Sequence, residues 1–163
     1  MSQLRIVGGA SGSQSRPSKK LSRPSMLEID SWIPSEIQAI SPLVDRLMLL
    51  IEGSQCIPGE EPDAELALRE ALANAVVHGN QNDRVTRVHI RCRCGPGNEI
   101  SIIVTDQGKG FDFRNIAGVG LTSDPPGEHG YGIRLMKAYM DDVHFERGGS
   151  EVHMRKRARY RLH

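Results

Sequence analysis

A chain of 163 residues, 38% hydrophobic and 25% charged, suits one soluble domain with a sizeable core, and at 4% aromatic that core must be built from aliphatics and alanine. No apolar run approaches the ~18 residues of a membrane span and no apolar signal core opens the chain, so a cytoplasmic protein is expected. The net charge of +1 hides a segregation: Arg5, Arg16, Lys19, Lys20 and Arg23 at one end and Arg155, Lys156, Arg157, Arg159 and Arg161 at the other flank a body of about −9, and without aromatic stacking platforms these ends read as solvated basic tails rather than a nucleic-acid surface.

Residues 1–24 are rich in Ser, Gly, Pro and basic groups, too apolar-poor to offset their ordering entropy, and are expected to be a disordered basic tail. The folded domain is set at 25–157, with a basic C-terminal tail at 158–163. Met26 to Ile33 is a short strand ended by Pro34. A helix follows, capped by Ser35 or Ser41, carrying the stripe Leu43, Leu47, Leu50 and Ile51 and stopping at Gly53. After the acidic loop Ser54 to Pro62, Asp63 is the expected N-cap of a helix of about four turns that Gly79 closes. Leu68, Leu72, Ala75 and Val76 mark its buried side. Glu70 and Asn74 stand one turn apart on a neighbouring face, where a carboxylate and an amide can meet a metal-bound phosphate.

Val85 to Cys94 alternates, with Val88, Ile90, Cys92 and Cys94 on one face and Arg87, His89, Arg91 and Arg93 on the other. Gly95-Pro96-Gly97-Asn98 turns the chain into a second strand, Glu99 to Thr105, forming a hairpin. Cys56, Cys92 and Cys94 lack zinc spacing and are expected to be buried free thiols. Asp106-Gln107-Gly108-Lys109-Gly110 sets a carboxylate at a strand end, where it can accept from an exocyclic amine, before two glycines that let a flat ligand lie close. Residues 115–129 form a long Gly- and Pro-rich loop, a candidate lid. Gly130-Tyr131-Gly132 then opens a helix with inner positions Ile133, Leu135, Met136 and Tyr139, and glycine N–H groups there suit phosphate. Val143 to Glu146, a turn at Arg147-Gly148-Gly149, and Ser150 to Arg155 make a closing hairpin.

Glu-Ala-Leu-Ala-Asn, Asp-x-Gly-x-Gly and the later Gly-Tyr-Gly together resemble the N, G1 and G2 boxes of the GHKL (Bergerat-fold) ATPases, and the chain is most similar to the stand-alone anti-sigma-factor serine/threonine kinases. The resemblance spans Leu27 to Arg157. It implies an α/β (α+β two-layer) sandwich, a mixed, mostly antiparallel sheet covered on one face by about three helices. It also implies ATP and Mg2+ as cofactors, Glu70 as general base, and Asn74 as the Mg2+ ligand. Asp106 becomes the adenine reader, with Gly108, Lys109, Gly110, Gly130, Tyr131 and Gly132 around the nucleotide. His78, one turn past Asn74, reads as a helix-end residue ordering the phosphate region rather than as a metal ligand.

The implied function is phosphorylation of an anti-anti-sigma (STAS-type) protein by a kinase that also binds a sigma factor, as a homodimer, with no nucleic-acid or membrane partner. The chain departs from the family where Glu128 and His129 replace a basic residue before the glycines, leaving Lys109, Arg134 and Arg114 as candidates for countercharge and pointing to slow turnover. The alternatives are a nucleotide-gated binding module that sequesters a partner without catalysis, and a detached ATPase module of a histidine phosphorelay. No P-loop signature is present.

Overall fold

The computed structural model describes residues 5–6, 27–95, 97–110 and 131–159. One sheet is built from β1 (Arg5–Ile6), β2 (Glu28–Pro34), β3 (Arg87–Gly95), β4 (Glu99–Thr105), β5 (Asp142–Glu146) and β6 (Glu151–Arg157). Its spatial order is β1-β2-β3-β4-β6-β5. Helices α1 (Ile40–Ser54), α2 (Glu61–Asn74) and α3 (Tyr131–Tyr139) complete the two-layer α+β sandwich. The sheet is antiparallel at every described pairing, which corrects the expectation of a mixed one. Two hairpins, β3–β4 and β5–β6, build most of it, and a hairpin is antiparallel by construction.

The alternating pattern of β3 decides which side is covered. Val88, Ile90, Cys92 and Cys94 are buried with Ile100, Ile102 and Val104 of β4, beneath Leu43, Leu47 and Ile51 of α1 and Leu68 and Leu72 of α2. Each fully buried aliphatic side chain contributes on the order of 1.5–3 kcal/mol, so this aliphatic layer holds the sandwich together without aromatic residues.

Several expected helix boundaries are corrected. Neither Ser35 nor Ser41 caps α1; a short 3-10 turn at Ile37–Ala39 leads directly into Ile40, with no side-chain cap. The Ser35 hydroxyl is engaged elsewhere, within 2.9 Å of Thr86 Oγ1 and 2.7 Å of Asn80 Nδ2. Gly53 lies inside the helix, and Gln55, at φ 53°, makes the left-handed exit instead. Asp63 sits in the first turn of α2 rather than at its cap, and its carboxylate accepts a hydrogen bond from Lys156 at 2.7 Å.

That contact also corrects the reading of the basic ends as solvated. Arg155, Lys156 and Arg157 belong to β6, and Lys156 is only 1% exposed, 3.0 Å from Glu60 and donating at 2.6 Å to the Tyr139 carbonyl. Burial opposes its charge, but the hydrogen bonds and attraction of Asp63 and Glu60 outweigh it and hold the ammonium pKa above its ordinary value. Arg155 pairs with Asp142, Arg157 with Glu99 and Arg159 with Asp141. Lys156 thereby joins β6, the start of α2 and the end of α3. At the other end, Arg5 and Ile6 pair with Asp30 and Ile29, so the expected disordered tail contains a sheet strand; its other residues to 24, and 160–163 of the C-terminal tail, lie outside the described residues.

The cysteines are corrected as well. Cys56, in the turn after α1, and Cys94, on β3, form a disulfide with Cα atoms 5.8 Å apart. Only Cys92 is a free, buried thiol, its pKa pushed up to about 12 by burial. No helix among the described residues is long and apolar enough to cross a membrane.

Candidate functional site

The helix carrying Glu70 and Asn74 does not end where its α-helical part ends. Asn74 is the last residue of α2, and Ala75–Gly79 continues as a single π-helical turn. Backbone N–H groups of Asn80 and Asn82 donate to the carbonyls of Ala75 and Val76 at 2.8 and 2.9 Å and close that turn. Such insertions recur at functional sites because they re-aim the residues beside them. The expected stop at Gly79 stands, but nothing in the apolar periodicity announced the wider turn.

Glu70 and Asn74 face the first turn of α3. A β-carbon built on Gly132 would lie 2.8 Å from Glu70 Oε2 and 3.2 Å from Asn74 Nδ2, so only glycine leaves room for both polar side chains at this crossing. The small, buried Ala67 and Ala71 on the same stretch let the helices approach.

Asp106 lies just past β4, where its N–H donates to the Ser150 carbonyl at 2.9 Å and its Oδ1 accepts from the Gly108 N–H at 2.8 Å. The carboxylate packs on Gly79 so closely that any β-carbon there would overlap it, and Gly108 is pressed as tightly on the Gly79 carbonyl. Gly110, at φ 74°, meets the Gly148 carbonyl in the same way. Asp106 is 8% exposed, and burial raises its pKa from the ordinary 3.8 to about 6, partly offset by the Gly108 N–H. It is thus a carboxylate short of donors, placed to gain one from a ligand.

A narrow cleft runs between these two groups. Ala71, Ala75, Val104, Met136, Phe145 and Val152 form apolar walls, and Asn74, Asp106, Gly149 and Ser150 add polar edges. Asp106 offers an acceptor to an exocyclic amine at one side, and Asn74 offers a polar group to an anionic or metal-bound tail at the other. The amide oxygen of Asn74 is a hard donor of the kind Mg2+ accepts alongside phosphate oxygens and waters.

The structure therefore brings Glu70, Asn74 and Gly132 together, and of the predicted residues Asn74 and Asp106 line the cleft, with Gly108 held against Asp106 and Gly110 against Gly148. Tyr131 is 61% exposed, Lys109 and His78 are exposed as well, and none of the three lines the cleft. Gly130, Glu128, His129 and Arg114 lie outside the described residues, as does the expected lid at 115–129.

Asn80 is a site residue that sequence reasoning missed. It is 4% exposed; its Nδ2 donates to Ser35 Oγ at 2.7 Å and to the Arg87 carbonyl at 3.0 Å, and its Oδ1 accepts from the Gln107 N–H at 2.8 Å. The Gln107 side chain in turn accepts from the Arg87 N–H at 2.7 Å. Asn80 thus anchors the loop that presents Asp106 to the end of the Glu70–Asn74 helix. Its only signal was an amide directly after the helix-closing glycine.

Comparison with known proteins points the same way. The model of the histidine kinase-like ATPase domain matches residues 33–156. The chain is 32% identical over 105 residues to the anti-sigma F factor of Clostridium botulinum (strain Eklund 17B / Type B), covering 60% of this chain and 71% of that protein. It is 36% identical over 87 residues to the serine-protein kinase RsbW of Bacillus licheniformis, and 34% identical over 90 residues to that of Bacillus subtilis (strain 168). These two matches cover 50% and 52% of this chain and 54% and 56% of the kinases, so the chain spans just over half of each kinase's length.

Proposed function

The chain belongs to the histidine kinase-like ATPase domain family, and on that premise we propose that it is an ATP-dependent protein serine/threonine kinase that serves as an anti-sigma factor. Its protein substrate is an anti-anti-sigma protein of the STAS type, and the sigma factor is its second partner. It acts in the cytoplasm as a homodimer. The relatives' names, anti-sigma F factor and serine-protein kinase, support this assignment.

The observation that carries the reading is the placement of Glu70 one turn before Asn74, both against Gly132, with Asn74 lining the same cleft as Asp106. Asp106 accepts the exocyclic amine of adenine, and Gly108 and Gly110 keep the backbone low enough for the ring to lie flat. Asn74 would hold Mg2+, which would neutralise charge on the phosphate oxygens. Glu70 receives the proton of the acceptor serine or threonine hydroxyl as that oxygen attacks the terminal phosphorus in line, and ADP departs with the bridging oxygen. Phosphoryl transfer demands mostly positioning and charge neutralisation, so a single base beside the metal ligand is sufficient machinery. Binding nucleotide alone needs no base, so Glu70 favours a kinase over a sequestering module.

Radiolabelled ATP incubated with the protein and a STAS-type substrate tests the reading. Label is expected on a serine or threonine of the substrate, and Glu70→Gln should lower the transfer rate at least ~100-fold while leaving ATP affinity within about twofold. Nucleotide binding without transfer to any partner would identify a sequestering module, and acid-labile phosphohistidine would identify a phosphorelay component.

A further inference from the structure

The face of the sheet away from the helices carries a second group of ligating side chains. His144 and His153 are directly opposite each other across the β5–β6 ladder, and Glu146 and Glu151 are the next opposed pair on the same face, beyond Phe145 and Val152. Val143 and Phe145 turn inward against the core, so His144 and Glu146 turn outward, as do His153 and Glu151 at alternate positions of β6. The two imidazoles stack with centroids 4.8 Å apart.

We propose that His144, Glu146 and His153 form a binding site for a divalent transition-metal cation of the zinc class, with Glu151 completing or supporting it. His144 Nε2 is 3.5 Å from Glu146 Oε1, and His153 Nε2 is 3.5 Å from Glu146 Oε2. Two donors about 2.0–2.1 Å from a tetrahedral ion stand about 3.3 Å apart, so each imidazole is already near ligand spacing from one Glu146 oxygen, the two rings facing different oxygens of that carboxylate. One ligand atom from each of the three residues can be chosen so that all lie within 4.8 Å of one another, a spread that small side-chain rotations close around one ion.

The ligand chemistry also selects the ion. Two imidazoles with one or two carboxylates suit zinc and its neighbours rather than Mg2+ or Ca2+, which prefer oxygen alone. Glu151 Oε1 lies 2.8 Å from the same His153 Nε2 that faces Glu146, so the hydrogen bond it makes there without metal gives way on binding, when that nitrogen has lost its proton and Glu151 can become the fourth ligand.

Two glutamates directly opposite on a ladder repel, and a cation between them removes the repulsion. Arg147 at 3.6 Å and Arg91 at 3.9 Å offset the Glu151 charge, and His144 also faces Asp142 at 3.6 Å. The site is independent of the nucleotide. Phe145 and Val152 of the same hairpin line the cleft from the inner face, so the two metal positions lie on opposite sides of the sheet.

Zinc chloride titrated by calorimetry into the full, untagged chain without nucleotide tests the site, with cobalt substitution read by visible absorption. One saturable equivalent per chain is expected, with affinity at least ~10-fold lower in His144→Ala and in His153→Ala, unchanged in Cys92→Ser, and a cobalt band that both histidine variants lose. His144 is half exposed, so its variant should keep the fold, and an unchanged melting temperature without metal verifies that. Absence of a saturable equivalent, or affinity unchanged in both histidine variants, would overturn the proposal and leave a surface ladder of ion pairs.

Discussion

Replacing Asp106 by Asn should make the protein more stable and bind ATP less well. Burial raises the carboxyl pKa from 3.8 to about 6. Roughly two units at about 1.4 kcal/mol each correspond to about 3 kcal/mol. Because the folded pKa lies above the unfolded one, this contribution is present in full below about pH 3.8 and is lost as pH rises through about 6. Above that, the wild type bears the whole cost of an ionised buried carboxylate, while the isosteric amide keeps the Gly108 hydrogen bond without it. Urea unfolding at pH 8 should therefore favour Asp106→Asn by up to about 3 kcal/mol, a melting increase of ~6–12 °C for a chain of this length. The gap should close toward pH 4. In the same variant, ATP affinity should fall by about tenfold or more, since a charge-assisted acceptor becomes a neutral one. A stability difference that is flat with pH, or a variant less stable at pH 8, would refute the account of Asp106 as a carboxylate awaiting a donor.

Three other perturbations probe the rest of the frame. Gly132→Ala places a methyl against Glu70 Oε2 and Asn74 Nδ2, so phosphoryl transfer to a STAS-type substrate should drop at least ~10-fold with a stability cost of about 1–3 kcal/mol; unchanged transfer would show the crossing is looser than described. Asn80→Ala removes partners of Ser35, Arg87 and Gln107, and denaturant unfolding should register a loss of about 2–4 kcal/mol together with weaker ATP binding. Lys156→Met leaves Glu60 and Asp63 without their cation; as Asp63 is about a third exposed, the cost in urea should be about 2–3 kcal/mol, below that of a fully buried pair, and a neutral result would reduce the cluster to a surface contact.

Much of this molecule is local and was therefore legible. The alternation of β3, the Gly97-Asn98 turn and the spacing of Glu70 and Asn74 are set by residues a few positions apart, where strand and helix periods act directly. Assigning Gly132 to the same nucleotide site as Glu70 and Asn74 drew on family resemblance, and its close approach to both side chains is seen only in the structure. The helix boundaries failed for a physical reason: Ser35 and Asp63 are good caps in isolation, but each has a distant partner, Asn80 and Lys156, whose claim on the side chain is stronger.

By itself the sequence determined the strand and helix patterning, the aliphatic core and the polar pair on one helix face, because hydrophobic period and residue chemistry are properties of neighbours in the chain; the two-layer class came from the family resemblance. Only the tertiary structure decided that Cys56 meets Cys94 across 38 residues, that Lys156 is buried in an ion cluster rather than solvated, and that burial leaves Asp106 near pKa 6. Each of these depends on which atoms packing brings together and how much water it removes. Neither quantity is encoded in any one stretch of residues.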